Sequence, residues 1–424
     1  MMDIKFIREN KELMKKVVSE KRIDIDVDKL LSLDKKRRNL IKKTEELRAE
    51  QNKLTKDNID KGREIKEEIK KIFPDLKKIE EEYGIMMLFV PNVHSEDTPV
   101  GDDDNDNIEI FKWGKVPNFS FTPKNHIEIG KELDIIDFEK GVKTSGFRGY
   151  YLKNEAAFMS LALLWYCIEK MTKKGFTLMI PPTILREFTL LGSGHFPFGK
   201  EEIYQIANPG KLSDGSSVKE KLYLGGTSEP ALLAYYADAL FQEKELPIKA
   251  CAFSQCYRSE VGNYGKDTKG LYRVREFMKV EQVVLCKNDL EESNRWLEEM
   301  KGISEEILQD LKLPYRVIQV CTGDMGAGKH KMYDIETWMP SRESYGETHS
   351  SSNLTDWQSR RLNIKYKNKE GERVFAHTLN NTVIASPRIL IAILENYQKE
   401  DGSIAVPDVL KKHLPFAEIK KKRK

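Results

Sequence analysis

Cysteine is scarce in this chain, five residues in 424, and Cys167, Cys251, Cys256, Cys286 and Cys321 are odd in number and lack the close pairing that a tetrahedral metal site needs. Cys251 and Cys256, with four residues between them, fall in a strand-like segment. A reduced compartment and no zinc are therefore expected. Net charge is also small. Charged residues make up 33 % of the chain, but 71 Lys and Arg against 68 Asp and Glu leave only +3, so any contact with nucleic acid must come from local clusters. No apolar run is long enough to cross a bilayer, and Met-Met-Asp-Ile-Lys opens without an apolar signal core. A cytoplasmic chain without membrane contact is expected. Rossmann and P-loop glycine patterns are missing, as are internal repeats.

What is present begins with a heptad. Leu33, Leu40, Leu47 and Leu54 recur every seven residues, and after a polar turn near Asp57–Gly62 the set Ile65, Ile69, Ile72, Leu76, Ile79, Tyr83 and Met86 alternates steps of four and three. That is a coiled-coil seam, and two such helices joined by a turn predict an antiparallel hairpin. Pro74 removes the bond to the Lys70 carbonyl and predicts a kink or short break. Lys35, Lys36, Arg37, Arg38, Lys42, Lys43, Arg48 and Lys53 lie off the seam; a solvated helix face explains such a run as readily as a nucleic-acid contact does. The acidic stretch Gly101–Asn107 marks a candidate boundary, giving an N-terminal domain of residues 1–107 and a second of 108–424. The basic Lys420–Lys424 ending reads as a solvated tail.

The second domain alternates helical patterns such as Asn154–Thr172 with strand-like segments at Phe176–Ile180, Ala250–Tyr257, Phe277–Cys286, Tyr315–Cys321 and Tyr333–Trp338. The fold class this predicts is α+β around an antiparallel sheet. Tyr257–Glu281 is its most informative stretch, a charged hairpin punctuated by Gly262, Gly265 and Gly270. Period two puts Arg273, Arg275, Phe277, Lys279 and Glu281 on one face of the return strand and Met278, Val280, Gln282 and Val284 on the other, while Arg258 and Glu260 share a face of the outgoing strand. A sheet with one solvated face fits this pattern, and so does a binding surface. Three more polar clusters stand out: Thr227-Ser228-Glu229 ahead of a helix, Glu347–Asn353, and Asn380-Asn381-Thr382 before Pro387-Arg388. Arg388 beside the positive end of a helix has the wrong sign unless an anion binds there.

In this order and spacing the segments resemble the class II aminoacyl-tRNA synthetases, and in detail the seryl-tRNA synthetases, from end to end. Gly175–Pro182 is similar to the class's first, dimer-forming motif. Arg258-Ser-Glu260 with the Phe277–Glu281 strand is similar to the second, and Asn380–Gln398 to the third. The Thr-Ser-Glu box, the Glu-x-x-Ser-x-Ser-Asn run and the Leu-Glu-Asn-Tyr-Gln ending are particular to the seryl branch. The fold implied is the class II antiparallel sheet flanked by helices, with an N-terminal antiparallel coiled-coil hairpin.

The resemblance implies ATP-dependent attachment of L-serine to tRNA(Ser) through a seryl-adenylate, by a homodimer. Two anions must meet in adenylation, so the chemistry asks for cations and alignment rather than a protein nucleophile. Catalytic roles fall by resemblance to Arg258, Glu260 and Arg388. ATP is expected on Arg258, Glu260, Arg273, Phe277, Glu347, Ser350 and Arg388, with adenine sandwiched between Phe277 and Arg388 and Mg²⁺ held by Glu347 and Ser350. Serine is expected on Thr227, Glu229, Arg258, Glu281, Asn380 and Thr382, and tRNA on Lys35, Arg38, Lys42 and Lys43. The chain departs from the commoner bacterial pattern at Asn381-Thr382-Val383, at Arg275-Glu276 and at His349, without removing an expected ligand. A synthetase-like protein that loads a carrier protein, and a tRNA-binding paralogue without catalysis, are the competing readings. The hairpin weighs against the first, and the intact Arg258, Glu260, Glu281, Glu347 and Arg388 weigh against the second.

Overall fold

The computed structural model describes residues 1–54, 58–208, 210–261 and 269–421, in two compact units, Met1–Val93 and His94–Lys424. Gly262, Gly265 and the last three residues of the basic tail lie outside the described residues. The division falls ahead of the acidic stretch, so residues 94–107 join the second unit instead of closing the first. Hydrogen bonds explain this. Ser95 donates its N–H to the His330 carbonyl at 2.8 Å, Thr322 to Pro99 at 2.9 Å and Gly323 to Gly101 at 3.0 Å. A stretch that looks like a linker by composition is in fact stitched along its backbone.

The first unit contains α1 (Ile4–Glu9), α2 (Lys11–Glu20), α3 (Val27–Gln51) and α4 (Ile59–Phe89). Asp3 and Asp26 accept from Lys5 N–H and Lys29 N–H, capping α1 and α3. Leu33, Ile65 and Ile72 are buried along the seam, and Ile7, Met14, Val27, Leu30, Met87 and Val90 make a small core at the base. Ion pairs between α3 and α4 give their direction. Lys29–Glu82, Arg37–Glu80, Lys43–Glu68 and Glu50–Lys61 rise along one helix as they fall along the other, so the hairpin is antiparallel. Pro74 does not break α4, which runs continuously for 31 residues. The proline lies on the exposed face, where water can take up the Lys70 carbonyl that loses its partner.

Among the described residues of the second unit, eight strands form one sheet: β1 (Ile108–Trp113), β2 (Thr177–Met179), β3 (Ile248–Tyr257), β4 (Glu276–Cys286), β5 (Tyr315–Gln319), β6 (Lys331–Met339), β7 (Ser344–Asn353) and β8 (His377–Ala385). The order is β1-β5-β6-β7-β8-β4-β3-β2. Only β2 with β3 is parallel; the other neighbours are antiparallel. The helices that follow in the argument are α5 (His126–Glu132), α6 (Phe138–Ser145), α7 (Asn154–Lys173), α8 (Glu187–Ser193), α9 (Glu229–Tyr235), α10 (Leu290–Asp310), α11 (Trp357–Leu362) and α12 (Ser386–Asn396). Met159 and Leu163 of α7, Met300 and Ile303 of α10, and Leu390 and Ile393 of α12 share a core with Val280, Val284, Leu379 and Val383 of the sheet.

Two details of this sheet bear on function. The charged face of β4 is not solvated: Lys279 and Glu281 are 4 % and 3 % exposed, as buried as Val280 and Gln282 behind them. Arg258, Glu260, Arg273 and Arg275 lie just beyond the strand ends rather than on them, since β3 stops at Tyr257 and β4 starts at Glu276. Besides a slip at the β1 edge between Glu109 and Phe111, the pairing slips by one residue between Ile335 and Glu336 of β6, opposite His349 and Glu347, and between Thr382 and Ile384 of β8. Bulges of this kind re-aim side chains. The two inner slips sit beside Glu347 and Thr382, residues expected in the site.

Candidate active site

A cleft of about 520 Å³ opens over the centre of the sheet, lined by Arg258, Glu260, Tyr272, Arg273, Phe277, Lys279, Glu347, Thr382 and Arg388 among others. The sheet gathers them. Arg258 follows β3, and its N–H donates to the Arg275 carbonyl at 2.8 Å, extending the ladder one step past the strand. Its guanidinium lies over the Phe277 ring at 5.5 Å. Glu260 adopts φ +55°, an uncommon conformation for a non-glycine residue, and its carboxylate accepts from Arg148 Nη1 at 3.0 Å with Arg273 Nη1 at 3.7 Å. Arg148 escaped the sequence reading. It arrives between α6 and α7, with its side chain only 1 % exposed.

Arg388 sits in the first turn of α12, after Pro387. Its Nη1 donates to the Glu347 carboxylate and carbonyl, both at 2.9 Å, and its Nε to the Tyr272 carbonyl at 3.1 Å. The Tyr272 ring lies 4.4 Å beneath its guanidinium. The cation at a positive helix end is thus balanced by an acid from β7. Loss of solvent alone raises the Glu347 pKa, but Arg388, with Arg258 and Arg273 behind it, holds it below the usual carboxylate range. Asp334 goes the other way. It pairs with Ser350 across β6 and β7 and is 8 % exposed. Burial first, and the Glu347 charge second, push it well above the usual range. Its Oδ1 is buried without a hydrogen-bond partner. The sequence reading passed over Asp334, although alternation along the Tyr333–Trp338 segment places it on a face with Glu336.

Beside the cleft lies a buried polar cluster. Lys279 Nζ donates to Thr227 Oγ1 at 2.7 Å and forms an ion pair with Glu281, while Thr227 Oγ1 donates to Glu281 Oε2 at 3.3 Å. Burial raises the Glu281 pKa and Lys279 offsets part of that rise. Glu229, in the first turn of α9, accepts from Gln358 Nε2 at 2.6 Å and Asn380 Nδ2 at 2.8 Å. Thr227, Glu229, Glu281, Asn380 and Thr382 therefore converge as expected from sequence. Lys279 is an addition, for it shares the Glu281 face by parity but had been given no role. A second cavity, about 910 Å³, is lined by His195, Phe198, Glu229, Lys329 and Trp357 and meets the first at Arg258.

Arg275 turns aside from the cleft, with Nη2 on the Ser145 carbonyl and hydroxyl. His349 does line it, and burial pushes its imidazole down to about 3, so it is uncharged at neutral pH. Asn381 points to the opposite side of the sheet, donating to the Met300 carbonyl at 3.1 Å and Ser304 Oγ at 2.8 Å on α10. In the first unit, Lys35, Arg38, Lys42 and Lys43 are exposed on α3. Three are ion-paired: Arg38 with Asp34, Lys42 with Glu46 and Lys43 with Glu68. Among the described residues no three His, Cys, Asp or Glu side chains gather as a metal site, and no helix is long and apolar enough to cross a membrane.

Two family models match the chain: "Seryl-tRNA synthetase N-terminal domain" over residues 1–94 and "tRNA synthetase class II core domain (G, H, P, S and T)" over residues 211–397. The serine–tRNA ligase of Deinococcus radiodurans is 41 % identical over 430 residues, covering 99 % of each chain. Among solved structures, seryl-tRNA synthetase from Pyrococcus horikoshii complexed with ATP is similar at TM-score 0.90 and 36 % identity, covering all of both chains. The cytoplasmic serine–tRNA ligase of Naegleria fowleri in complex with AMP is similar at TM-score 0.89 and 33 % identity, covering 100 % of this chain and 99 % of that one. With an end-to-end likeness in sequence and fold, and with both domains matched in order, the chain belongs to the seryl-tRNA synthetase family of class II aminoacyl-tRNA synthetases.

Proposed function

We propose that this chain activates L-serine with ATP and transfers it to tRNA(Ser), with Arg258 at the point where the two substrates meet. The observation that carries this is the position of Arg258, which lines the arginine-bearing cleft with Arg273, Arg388, Lys279 and Thr382 and also lines the second cavity with Glu229. In the first step a serine carboxylate oxygen attacks the α-phosphorus of ATP and the bond to pyrophosphate breaks. No proton needs to move. Alignment and neutralisation of charge carry the barrier, and Arg258 faces both the carboxylate and the α-phosphate. Arg273 and Arg388 take the remaining phosphates. Phe277 and Arg388 line the space for adenine and Glu260 its rim. In the second step a terminal ribose hydroxyl of the tRNA attacks the acyl carbon and AMP leaves.

Serine's ammonium goes to Glu281 and Thr227, and its hydroxyl to Thr382 and Glu281, with Glu229 and Asn380 shaping the wall. Burial favours the neutral form of Glu281, whereas an ammonium needs the charged one. Lys279 supplies the opposing cation. A pocket built to pair a hydroxyl rejects alanine, because its polar groups would be left unpaired. Use of ATP by this class brings a divalent ion, and the donors fit a hard one: the Glu347 carboxylate, the Ser350 hydroxyl and, on the same face, the unpartnered Oδ1 of Asp334. Mg²⁺ held by Glu347 and Ser350 neutralises phosphate charge when bound; no zinc is called for.

The catalytic unit works as a homodimer in the cytoplasm. Phe158, Leu161 and Trp165 of α7, at 50 %, 55 % and 54 % exposure, border an apolar hollow with Ile180, which is 79 % exposed. A second copy would cover this face. The first unit holds the tRNA through Lys35, Arg38, Lys42 and Lys43, reading backbone and shape. Amino-acid-dependent ATP–pyrophosphate exchange tests the assignment. L-serine should drive exchange far better than threonine, alanine or glycine, and comparable rates with any of these would overturn it.

A further inference from the structure

The return limb into β4 is fastened from an unexpected direction. Gly270 has φ +81°, and a Cβ there would stand 2.2 Å from His126 Nε2. The next residue, Leu271, donates its backbone N–H to that same nitrogen at 3.1 Å. On the other side of the ring, Nδ1 lies 2.9 Å from Glu395 Oε1, which also accepts the His126 backbone N–H at 2.9 Å. A backbone N–H can only donate, so Nε2 must be the acceptor and Nδ1 carries the proton. Glu395 therefore selects the tautomer. Its other oxygen accepts from Ser341 N–H at 3.0 Å, next to Arg342.

Glu395 belongs to α12, the helix that presents Arg388. One helix thus grips the limb twice, through Arg388 at the Tyr272 carbonyl and through Glu395 and His126 at Leu271. The Tyr272 ring is left between Arg388 and Arg342, each guanidinium 4.4 Å from its centroid. Arg273 follows at once, beside Glu260.

We propose that His126 and Glu395 are positioning residues for the ATP cleft: a neutral imidazole, oriented by the buried carboxylate, holds Leu271 and so sets Tyr272 and Arg273 against Arg388. Neither side chain lines the cleft, so the effect runs through the backbone of the limb. Serine's acid Glu281 lies farther along β4, held in the ladder between Ala252 and Thr382, and does not depend on this bond.

This rests on the ATP reading of the cleft, and two substitutions separate the two ends of the ring. In H126N the amide reaches only the Nδ1 position, keeping the donor to Glu395 and losing the acceptor for Leu271. In H126Q the amide oxygen reaches the Nε2 position. Apparent KM for ATP and for serine would be measured by pyrophosphate exchange, with calorimetric binding of a non-hydrolysable ATP analogue and thermal midpoints alongside. H126N should raise both the ATP KM and the analogue's Kd about ten-fold, the size of one lost hydrogen bond, with the serine KM within about two-fold. H126Q should recover most of the loss. Equal damage in both variants, a parallel rise in both KM values, or unchanged ATP binding would overturn the proposal. A wild-type protein without serine-dependent exchange would instead fault the functional reading, while the calorimetry still reports on the cleft.

Discussion

Lys42 of the helical hairpin pairs with Glu46 where both side chains remain largely in water, at 77 % and 66 % exposure, whereas Lys279 and Glu281 of the catalytic unit meet at 5 % and 3 %. The contrast extends across the two units. On α3 Lys42 and Lys43 form single surface bridges that water and salt weaken, so each can exchange its carboxylate for a phosphate at small cost. Around the cleft Arg148, Arg273, Arg388, Glu260 and Glu347 bind one another in fixed geometry. Arg148 and Glu260 meet at 1 % and 9 % side-chain exposure, so removing one strands the other in a poorly solvated place, while Glu347, at 45 %, keeps partial contact with water. The first arrangement suits a long, variable polyanion. The second suits one reaction.

The largest effect should come from the centre of the fixed set. Arg258→Ala should lower kcat/KM for serine-dependent exchange by about 10³-fold, in the range found when a preorganised electrostatic group is lost, without loss of tRNA binding in a filter assay. A mutant within ten-fold of wild type would remove Arg258 from the junction. Deleting Asp28–Glu82 behind a short linker is the converse test. Every residue assigned to adenylation lies beyond the deleted segment, so exchange should stay near wild type while tRNA charging collapses. Loss of both would show that the units do not divide the labour as described.

A smaller, graded effect should appear with pH. Because burial raises the Glu281 pKa even with Lys279 beside it, protonation of Glu281 begins above the usual glutamate value of about 4.3. The protonated acid cannot pair with an ammonium. The serine KM should therefore rise as pH falls toward that value, and the ATP KM should not follow it. An acid limb common to both substrates would place the titrating group elsewhere.

The same contrast explains what could be read from the chain. The hairpin was legible because its information is local, a hydrophobic period sustained along two helices, although α4 already begins at Ile59, inside the turn expected near Asp57–Gly62. Of the two outcomes Pro74 allowed, the helix shows no break, because the proline sits on an exposed turn where water meets the freed carbonyl. In the catalytic unit the motifs marked Arg258, Glu281, Glu347 and Arg388 directly, and alternation assigned β4's faces correctly while leaving open whether the charged one met water. The partners of those residues were invisible. Arg148 reaches Glu260 across 112 positions and His126 reaches Glu395 across 269, and no local pattern announces such a meeting. Asp334 and Lys279 lay within segments already singled out; only burial distinguishes them from ordinary strand residues.

The finest test lies within the hairpin, where one of the four proposed tRNA contacts breaks the surface rule. Replacing Lys35, Arg38, Lys42 and Lys43 together with Gln should weaken tRNA binding and flatten its dependence on salt, since each phosphate contact contributes roughly 0.9 to the slope of log affinity against log salt. The four should differ in stability. Lys42 and Lys43 pair with exposed acids, so their single substitutions should leave the thermal midpoint unchanged. Arg38 pairs at 2.9 Å with Asp34, whose side chain is 2 % exposed; its remaining cation is Arg8 at 3.6 Å. Arg38→Gln should therefore lower the midpoint by a few degrees as well as weaken tRNA binding. Differential scanning fluorimetry of the four single variants decides it. If Arg38→Gln melts with the lysine variants, the buried acid is satisfied by Arg8 alone and the whole basic face is free to serve the tRNA.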